Sequence, residues 1–142
     1  MQTDSTLSPE TIAAYRETHF HVLSEQPFVL QIGIASDALT ALQKARHVEC
    51  SAFITACNPF SQALDESTNA ARQAALAQEL KQRGLFYLVG LGQHPSNQWP
   101  GEASFLVLGL SREAAKVLGA RFEQNAVVWC GVDGVPELVM LR

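Results

Sequence analysis

The stretch that decides the fold is Cys50-Ser-Ala-Phe-Ile-Thr-Ala56, an almost continuous run of apolar and small side chains. Such a run is typical of a strand that is buried on both faces of a sheet. The next segment, 65–83, is rich in alanine and ends before Gly84, the residue type that favours a left-handed helix end. A second apolar run, Leu85 to Leu91, predicts another buried strand. The centre of the chain therefore predicts strand, helix and strand, with both strands running in the same direction.

Weaker patterns extend this centre on both sides. Ser8-Pro9 opens a first helix, two short alternating runs around the break at 25–27 predict a strand pair, and Ser36 opens a second helix. Beyond the polar loop 92–101, the pattern predicts a strand, a helix and two further strands. The predicted order is α-ββ-α-β-α-ββ-α-ββ. We expect an α/β (or α+β) fold with a single mixed, twisted sheet of about 6–7 strands and packed helices.

Length and composition limit the kind of protein. The 142 residues fit one domain, 1–142, with a flexible N-terminus at 1–8. A net charge of −4 argues against a nucleic-acid partner, because such proteins carry a basic surface. No apolar run reaches the roughly 18 residues of a membrane-spanning helix. The three cysteines contain no C-x-x-C pair, which favours free thiols and a cytoplasmic location. The composition leaves homo-oligomer formation open.

Polar residues cluster where the predicted strands end. If both central strands belong to one sheet, their carboxyl ends lie at the same edge, and the strands after Glu102 and Gln124 begin there. Ligands of open α/β sheets bind at such an edge. The polar and aromatic residues brought there are Thr55, Asn58, Ser61, Asn69, Arg72, His94, Trp99, Glu102, Gln124 and Asn125.

Arg72 is the predicted anchor of this site. It lies in the first half of its helix, where the helix dipole disfavours a cation, so a specific anionic partner is expected. Asn69 shares its helix face, being three residues away. The sequence thus predicts a small anionic ligand or nucleotide that Arg72 holds and that Asn58 and Asn125 orient. Glu102 is the candidate acid or base, with Trp99 beside it to provide partial burial.

Each of these residues also has a purely structural interpretation. Asn58-Pro59 is compatible with a simple turn, and Arg72 with an ion pair to Glu102. Trp99 can fill a loop, while Gln124 and Asn125 can end the preceding helix. These alternatives stay open at the level of sequence, as does the question whether the chain is an enzyme.

Other chemistry has less support. His19-x-His21 has metal-ligand spacing but no third ligand nearby, and no metal is predicted. Cys57 could act as a nucleophile with His94 as its base, although a free cysteine is more often a small buried side chain. Glycine-rich nucleotide motifs and a G-x-S-x-G elbow are absent from the sequence, so it indicates no particular cofactor.

Several phrases of the sequence resemble a bacterial family known as the domain of unknown function 3293. The resemblance extends from about Tyr15 to Gly131, and its most specific phrase is Phe53-Ile-Thr-Ala-x-Asn58-Pro59. It implies one compact domain and transfers no activity, cofactor or catalytic residue. The other phrases that carry it are Tyr15-x-x-Thr18-x-Phe20, Asn69-x-x-Arg72, Trp99-x-x-Glu102-x-Ser104-Phe105 and Phe122-x-Gln124-Asn125-Ala126.

A second hypothesis gives the chain no catalytic role. In that case it is a protein–protein interaction domain, and a partner binds either the polar edge or the last strand, 137–141. Exposed edge strands are prone to such pairing. A deep polar pocket favours the ligand-binding hypothesis, and a flat apolar patch favours the interaction domain.

Overall fold

A computed structural model describes residues 7–96 and 100–142. The predicted order of elements is confirmed over this part of the chain. The helices and strands are α1 (Pro9–Glu17), β1 (His19–Val22), β2 (Phe28–Leu30), α2 (Asp37–Ala45), β3 (Ser51–Ile54), α3 (Glu66–Gln82), β4 (Phe86–Gln93), β5 (Glu102–Leu108), α4 (Arg112–Arg121), β6 (Ala126–Cys130) and β7 (Pro136–Met140). The predicted flexible segment 1–8 falls mainly on residues 1–6, which lie outside the described residues. No helix in the described part has the length and apolarity needed to cross a bilayer.

Local sequence signals set the helix ends. A side-chain oxygen immediately before each helix accepts a hydrogen bond from a backbone N–H of its first turn, which satisfies a donor the helix itself leaves unpaired. The capping residues are Ser8, Ser36, Asp65 and Ser111. Gly84 follows α3 with φ of +68°, as the sequence predicts for a left-handed residue at this helix end.

The sheet has seven strands in the order β2-β1-β4-β5-β3-β6-β7. Every hydrogen-bonded strand pair in it is antiparallel, so the expectation of a mixed sheet needs correction. As predicted, β3 and β4 run in the same direction, but β5 lies between them. The reason is that β5 returns from β4 through a short loop and pairs with it as a hairpin.

The sheet curls, so that the segment after the edge strand β2 reaches β7 at the opposite edge. Gly33 N donates to Pro136 O at 2.8 Å, and Ser36 N donates to Gly134 O at 3.0 Å. These bonds tie the chain between β2 and α2 to the beginning of β7. The result is a curled half-barrel in which one face of the sheet is concave.

Two apolar clusters occupy the two faces of the sheet. On the first face, Leu76 and Leu80 of α3 and Leu118 of α4 pack on β3, β5, β6 and β7. On the second face, Leu39 of α2 packs with Phe53 and other residues of β1, β3, β5 and β6. Alternation along the strands produces this division, since Phe105 and Val107 point to the first face and Leu106 and Leu108 to the second.

The sequence overestimated the burial of β4. Tyr87, near its start, packs against the first cluster, but Val89 is 53% exposed. The buried residues of the first-face cluster come from α3, α4, β3, β5–β7 and the segments just after β3 and β5, and none comes from β4. Cys50 likewise lies just outside β3 and is partly exposed, whereas Cys57 and Cys130 are buried.

The predicted meeting of chain ends at one edge of the sheet is confirmed. In the strand register, Ile54 at the end of β3 faces Phe105, and Gly92 near the end of β4 faces Glu102 at the start of β5. Phe53 pairs with Val128, which places the start of β6 at the same edge. The loops that leave and enter these strands are therefore neighbours.

Candidate functional site

A cavity of about 350 Å³ lies at this edge, between α1 and the second face of the sheet. This volume falls within the range of small-molecule sites. The interior is mostly apolar, and its polar groups come from α1, the loops after β3 and β4, the start of β5 and the segment before β6. The lining residues are Glu10, Thr11, Ala14, Tyr15, Thr18, Phe20, Phe53, Thr55, Ser61, Gly92, His94, Glu102, Ser104, Gln124, Ala126, Val127, Val128 and Leu138.

The loop after β3 shapes one side of the cavity. Thr55 Oγ1 donates to Ala103 O at 2.7 Å and accepts from Cys57 N at 3.0 Å, which makes a tight turn directly after the strand. The backbone then adopts positive φ at Asn58 (48°), Phe60 (54°) and Ser61 (60°). Non-glycine residues rarely adopt this region, and such strain is concentrated at functional sites. The strained turn places Ser61 at the cavity.

Asn58 holds the Glu102 carboxylate in place. Its Nδ2 donates to Glu102 Oε2 at 2.7 Å. Its Oδ1 accepts from Asn69 Nδ2 at 2.8 Å and from Leu64 N at 3.0 Å. Asn69 Oδ1 in turn accepts from the Asn58 backbone N–H at 2.9 Å. Because both ends of the Asn58 amide are engaged, its orientation is fixed, and Glu102 meets a pre-positioned donor.

Tyr15 fastens α1 over the cavity. Its hydroxyl lies 2.8 Å from Ser61 Oγ, which also accepts a hydrogen bond from Asn125 Nδ2 at 2.7 Å. Burial raises the pKa of the Tyr15 phenol, the Ser61 hydrogen bond opposes this, and the Glu102 charge raises it further. The phenol therefore keeps its proton at neutral pH.

Arg72 joins two loops and does not line the cavity. Its Nε donates to Ala56 O at 2.7 Å and its Nη2 to Phe122 O at 2.6 Å. Its Nη1 lies 3.4 Å from Glu123 Oε1. The ion pair that the sequence left open between Arg72 and Glu102 is thus replaced by one with Glu123. The guanidinium fixes the loop after β3 against the loop before β6.

Gln124 and Asn125 complete the edge from the other side. Gln124 lines the cavity and donates to Cys57 O at 3.1 Å. Asn125 is 2% exposed, and its Oδ1 accepts from Arg142 Nη1 at 3.4 Å. Both amides lie just before β6. Gln124 also closes the end of α4, since its Nε2 donates to Phe122 O at 3.1 Å and its backbone N–H donates to Gly119 O at 3.0 Å. The bonds from Gln124 to Cys57 O and from Asn125 to Ser61 Oγ reach the strained loop after β3, so these residues do more than end the preceding helix.

The thiol of Cys57 has poor properties for a nucleophile. Burial raises its pKa, with the Glu102 charge adding to the shift, so the reactive thiolate is disfavoured. His94, the proposed base, lies on the first cavity, and its Nε2 is 2.7 Å from Glu17 Oε1. Cys57 lines a second cavity instead.

This second cavity, of about 590 Å³, lies on the other face of the sheet between α3 and the start of β5. Asn58 and Glu102 border both this cavity and the edge described above. Pro100 and Gly101 border it, and residues 97–99, which precede them in the sequence, lie outside the described structure. Trp99, one of the predicted ligand-binding residues, belongs to that segment. We therefore assign the candidate site to the first cavity, whose polar groups converge.

The structure brings some of the predicted site residues to this cavity and places others away from it. Of the predicted residues, Glu102 and Gln124 line the cavity, while Asn58 and Asn125 bond to lining residues. Asn69 contacts Asn58 and is therefore connected to the cavity only through that residue. The main omission was Tyr15, which lines the cavity from α1. Its signal was the single aromatic residue of this helix, in a phrase that already carried the family resemblance.

No group of three His, Cys, Asp or Glu side chains suited to a metal ion occurs among the described residues. The rings of His19 and His21 are 6.3 Å apart between centroids, on β1. The lining of the first cavity itself offers two carboxylates, one imidazole, several hydroxyls and one side-chain amide.

Fold and site together define a small α+β domain with a curled antiparallel sheet and one helix placed over a largely apolar cavity. A family model described as "Protein of unknown function (DUF3293)" matches residues 54–127, just over half of the chain, and the chain belongs to this family. The match covers the loop after β3, α3, Glu102 and the start of β6, and it excludes α1. No curated protein and no solved structure matches the chain.

Proposed function

We propose that the chain binds a small organic molecule in the cavity between α1 and the sheet. The observation that carries this proposal is a cavity of about 350 Å³ with an apolar floor, at whose edge the Glu102 carboxylate is held 2.7 Å from Asn58 Nδ2. Ligand sites combine an apolar surface with a few fixed polar groups in this way. The strained turn at Ser61 supports the same site.

If the domain is an enzyme, the Glu102 carboxylate is the candidate base. The raised pKa of Tyr15 makes its phenol a weaker acid, so Tyr15 contributes as a neutral hydrogen-bonding group. Nothing in this arrangement requires a cofactor.

The anionic ligand stays a prediction from the sequence, and it has lost its main support. It depended on Arg72, whose guanidinium is engaged by Ala56 O, Phe122 O and Glu123. The cytoplasmic location also stays a proposal, supported by the three free cysteines. The proposal includes no nucleic-acid or membrane partner.

The interaction domain is the second candidate. It is favoured by the first face of β1, β2 and β4, which α3 and α4 leave partly uncovered. Leu23 is 53%, Val29 40% and Val89 53% exposed there. Grouped apolar side chains on a surface are a feature of interfaces. Concentration-dependent size-exclusion chromatography tests the simplest case, a homo-oligomer.

A cavity-filling pair of variants tests the ligand-binding proposal. Ala14→Phe puts a ring into the cavity, whereas Ala13→Phe adds the same ring to the exposed side of α1. Thermal shift is measured with benzyl alcohol, phenol and indole as probes. At about one hundred times its dissociation constant, a ligand stabilises the native state by about 2.7 kcal/mol. We expect the shift in the parent and in Ala13→Phe, and its loss in Ala14→Phe. Equal shifts in all three proteins, or none in the parent, would refute the proposal.

A further inference from the structure

We propose that the ligand of the first cavity carries an N–H or O–H group, which it donates to the side-chain oxygen of Gln124. This inference rests on the proposed function and adds the chemical class of the ligand, an apolar or aromatic molecule with a hydrogen-bond donor. The first observation behind it is the burial of Gln124. The residue is 7% exposed, and of the two cavities it lines only the first. It is therefore almost wholly enclosed, beside the proposed site.

The second observation is the fixed orientation of the Gln124 amide. Its Nε2 donates to Cys57 O at 3.1 Å and to Phe122 O at 3.1 Å, which uses both protons of the nitrogen. A reversed amide would place Oε1 against these two carbonyl oxygens, which only accept hydrogen bonds. The protein therefore sets the position of Oε1 before any ligand binds.

The third observation is that Gln124 Oε1 has no donor of its own. No described residue gives it a hydrogen bond, although the nitrogen of the same amide has two acceptors. The oxygen is not sealed inside the protein, because Gln73 Nε2 is the one described buried side-chain nitrogen or oxygen without a partner. An amide oxygen has two lone pairs and no proton, so the group that it requires from a ligand is a donor.

The hydroxyl groups of the lining do not supply this donor. Thr18, Thr55 and Ser104 each donate their proton to a backbone carbonyl, at distances between 2.6 and 3.0 Å. These protons hold neighbouring segments of the chain together and are not available to Gln124 Oε1. The donor for that oxygen has to come from the molecule that enters the cavity.

The rest of the cavity suits an apolar body, and this makes the donor matter. Phe20 and Phe53 meet edge to face with ring centroids 5.2 Å apart, and both rings line the cavity. A ligand that packs on them excludes water from Gln124 Oε1. If that ligand has no donor, the oxygen is left buried and unsatisfied, which costs more free energy than a made hydrogen bond contributes. Ligands with only acceptors, carboxylates included, share this defect.

The test compares isomers that differ in having a donor. Skatole and N-methylindole contain the same atoms, but only skatole has an N–H group. The isomers p-cresol and anisole form a second pair, in which only p-cresol has an O–H group. All four are titrated into the protein at neutral pH by calorimetry or thermal shift. We expect the donor-bearing isomer of each pair to bind about 10-fold more tightly than the other.

The outcomes separate this inference from the proposed function. Equal binding within the pairs overturns the inference and leaves the proposed function standing. Tighter binding of N-methylindole and anisole does the same. Failure of all four probes overturns both proposals for ligands of this size.

Two glutamine variants assign the preference to one side chain. Gln124→Met removes the amide oxygen from the cavity. Gln73→Met is the matched control, because Gln73 Oε1 also supports the loop after β3, by accepting from Ala56 N at 3.0 Å, but Gln73 lines only the second cavity. We expect the ratio of affinities within each pair to fall to about 1 in Gln124→Met and to persist in Gln73→Met. A ratio that survives in Gln124→Met contradicts the assignment. Should Gln124→Met fail to fold, the isomer comparison in the parent protein still decides whether the ligand donates.

Discussion

Helices α1 and α3 begin with similar caps but pack against the sheet in different ways. Ser8 Oγ accepts from Thr11 N before α1, and Asp65 Oδ1 accepts from Thr68 N before α3. After these similar caps the helices diverge. Leu76 and Leu80 of α3 are fully buried in the first-face cluster, whereas α1 has no buried residue.

The difference shows how this fold leaves a cavity beneath α1. Apolar side chains lock α3 to the sheet, while α1 is attached mainly by polar contacts, Tyr15 to Ser61 and Glu17 to His94. Polar contacts at an exposed boundary contribute little net stability, so α1 can lie over the sheet without filling the space beneath it. One face is therefore a packed core, and the other holds the cavity.

The largest expected effect concerns the helix that is locked by apolar packing. Leu80→Ala removes a fully buried side chain from α3 and should lower the free energy of unfolding by about 2–5 kcal/mol. Ile12→Ala on α1 is the matched substitution at a half-buried position and should cost about 1 kcal/mol. Urea denaturation measures both. Similar losses in the two variants would contradict the distinction between the helices.

Arg72→Met should have the next largest effect, on stability and not on ligand binding. The substitution leaves Ala56 O and Phe122 O without their charged donor, and we expect a loss of about 2–3 kcal/mol. Glu123→Gln is the control: its side chain is 50% exposed, and a surface ion pair is worth about 0–1 kcal/mol. An Arg72→Met protein with unchanged stability and abolished ligand binding would return Arg72 to the ligand-binding role that the sequence suggested.

Tyr15→Phe should act on α1 alone. It removes the hydrogen bond to Ser61 and should cost about 0.5–1.5 kcal/mol. Hydrogen exchange followed by mass spectrometry should show faster exchange in α1 and unchanged exchange in α3. Tyr87→Phe is the control, because Tyr87 packs with Phe105 in the first-face cluster. Uniformly faster exchange across the domain would mean that α1 is part of the core and not a separately attached helix.

Sequence patterns predicted the elements of this fold because local signals determine them. Caps at Ser8 and Ser111, the left-handed Gly84 and the alternation in β5 are properties of a few neighbouring residues each. The pairing of strands is not such a property. The position of β5 between β3 and β4 depends on contacts far apart in the chain, and the exposure of Val89 depends on how far α3 extends over the sheet.

The residues of the candidate site likewise include some that the sequence predicted and some that depend on tertiary contacts. Strand direction alone brought Asn58, Glu102 and Asn125 to one edge, and the structure has them there. The partner of Arg72 could not be predicted, since two backbone carbonyls satisfy it and carbonyls leave no trace in the sequence. Tyr15 was not predicted as a site residue, because its role depends on a tertiary contact. Its hydroxyl meets Ser61 only once α1 lies across the sheet.

The smallest expected effect is a pH dependence that reports on the polar attachment of α1. Burial, reinforced by the Glu102 charge, raises the pKa of Tyr15 above its usual value. In the unfolded chain the phenol loses its proton near pH 10, whereas the native state still holds it, so the native state binds more protons there. The stability contributed by Tyr15 is therefore complete below about pH 10 and is lost as the pH rises through the native pKa.

Urea denaturation between about pH 8 and 11 tests this dependence. The free energy of unfolding should fall more steeply with rising pH in the parent than in Tyr15→Phe. Tyr87→Phe retains Tyr15 and should follow the parent. Glu102→Gln should reduce the slope, because the charge that raises the Tyr15 pKa is gone. If Tyr15→Phe loses stability as steeply as the parent, the phenol is not buried at the cavity, and α1 does not lie over it as described.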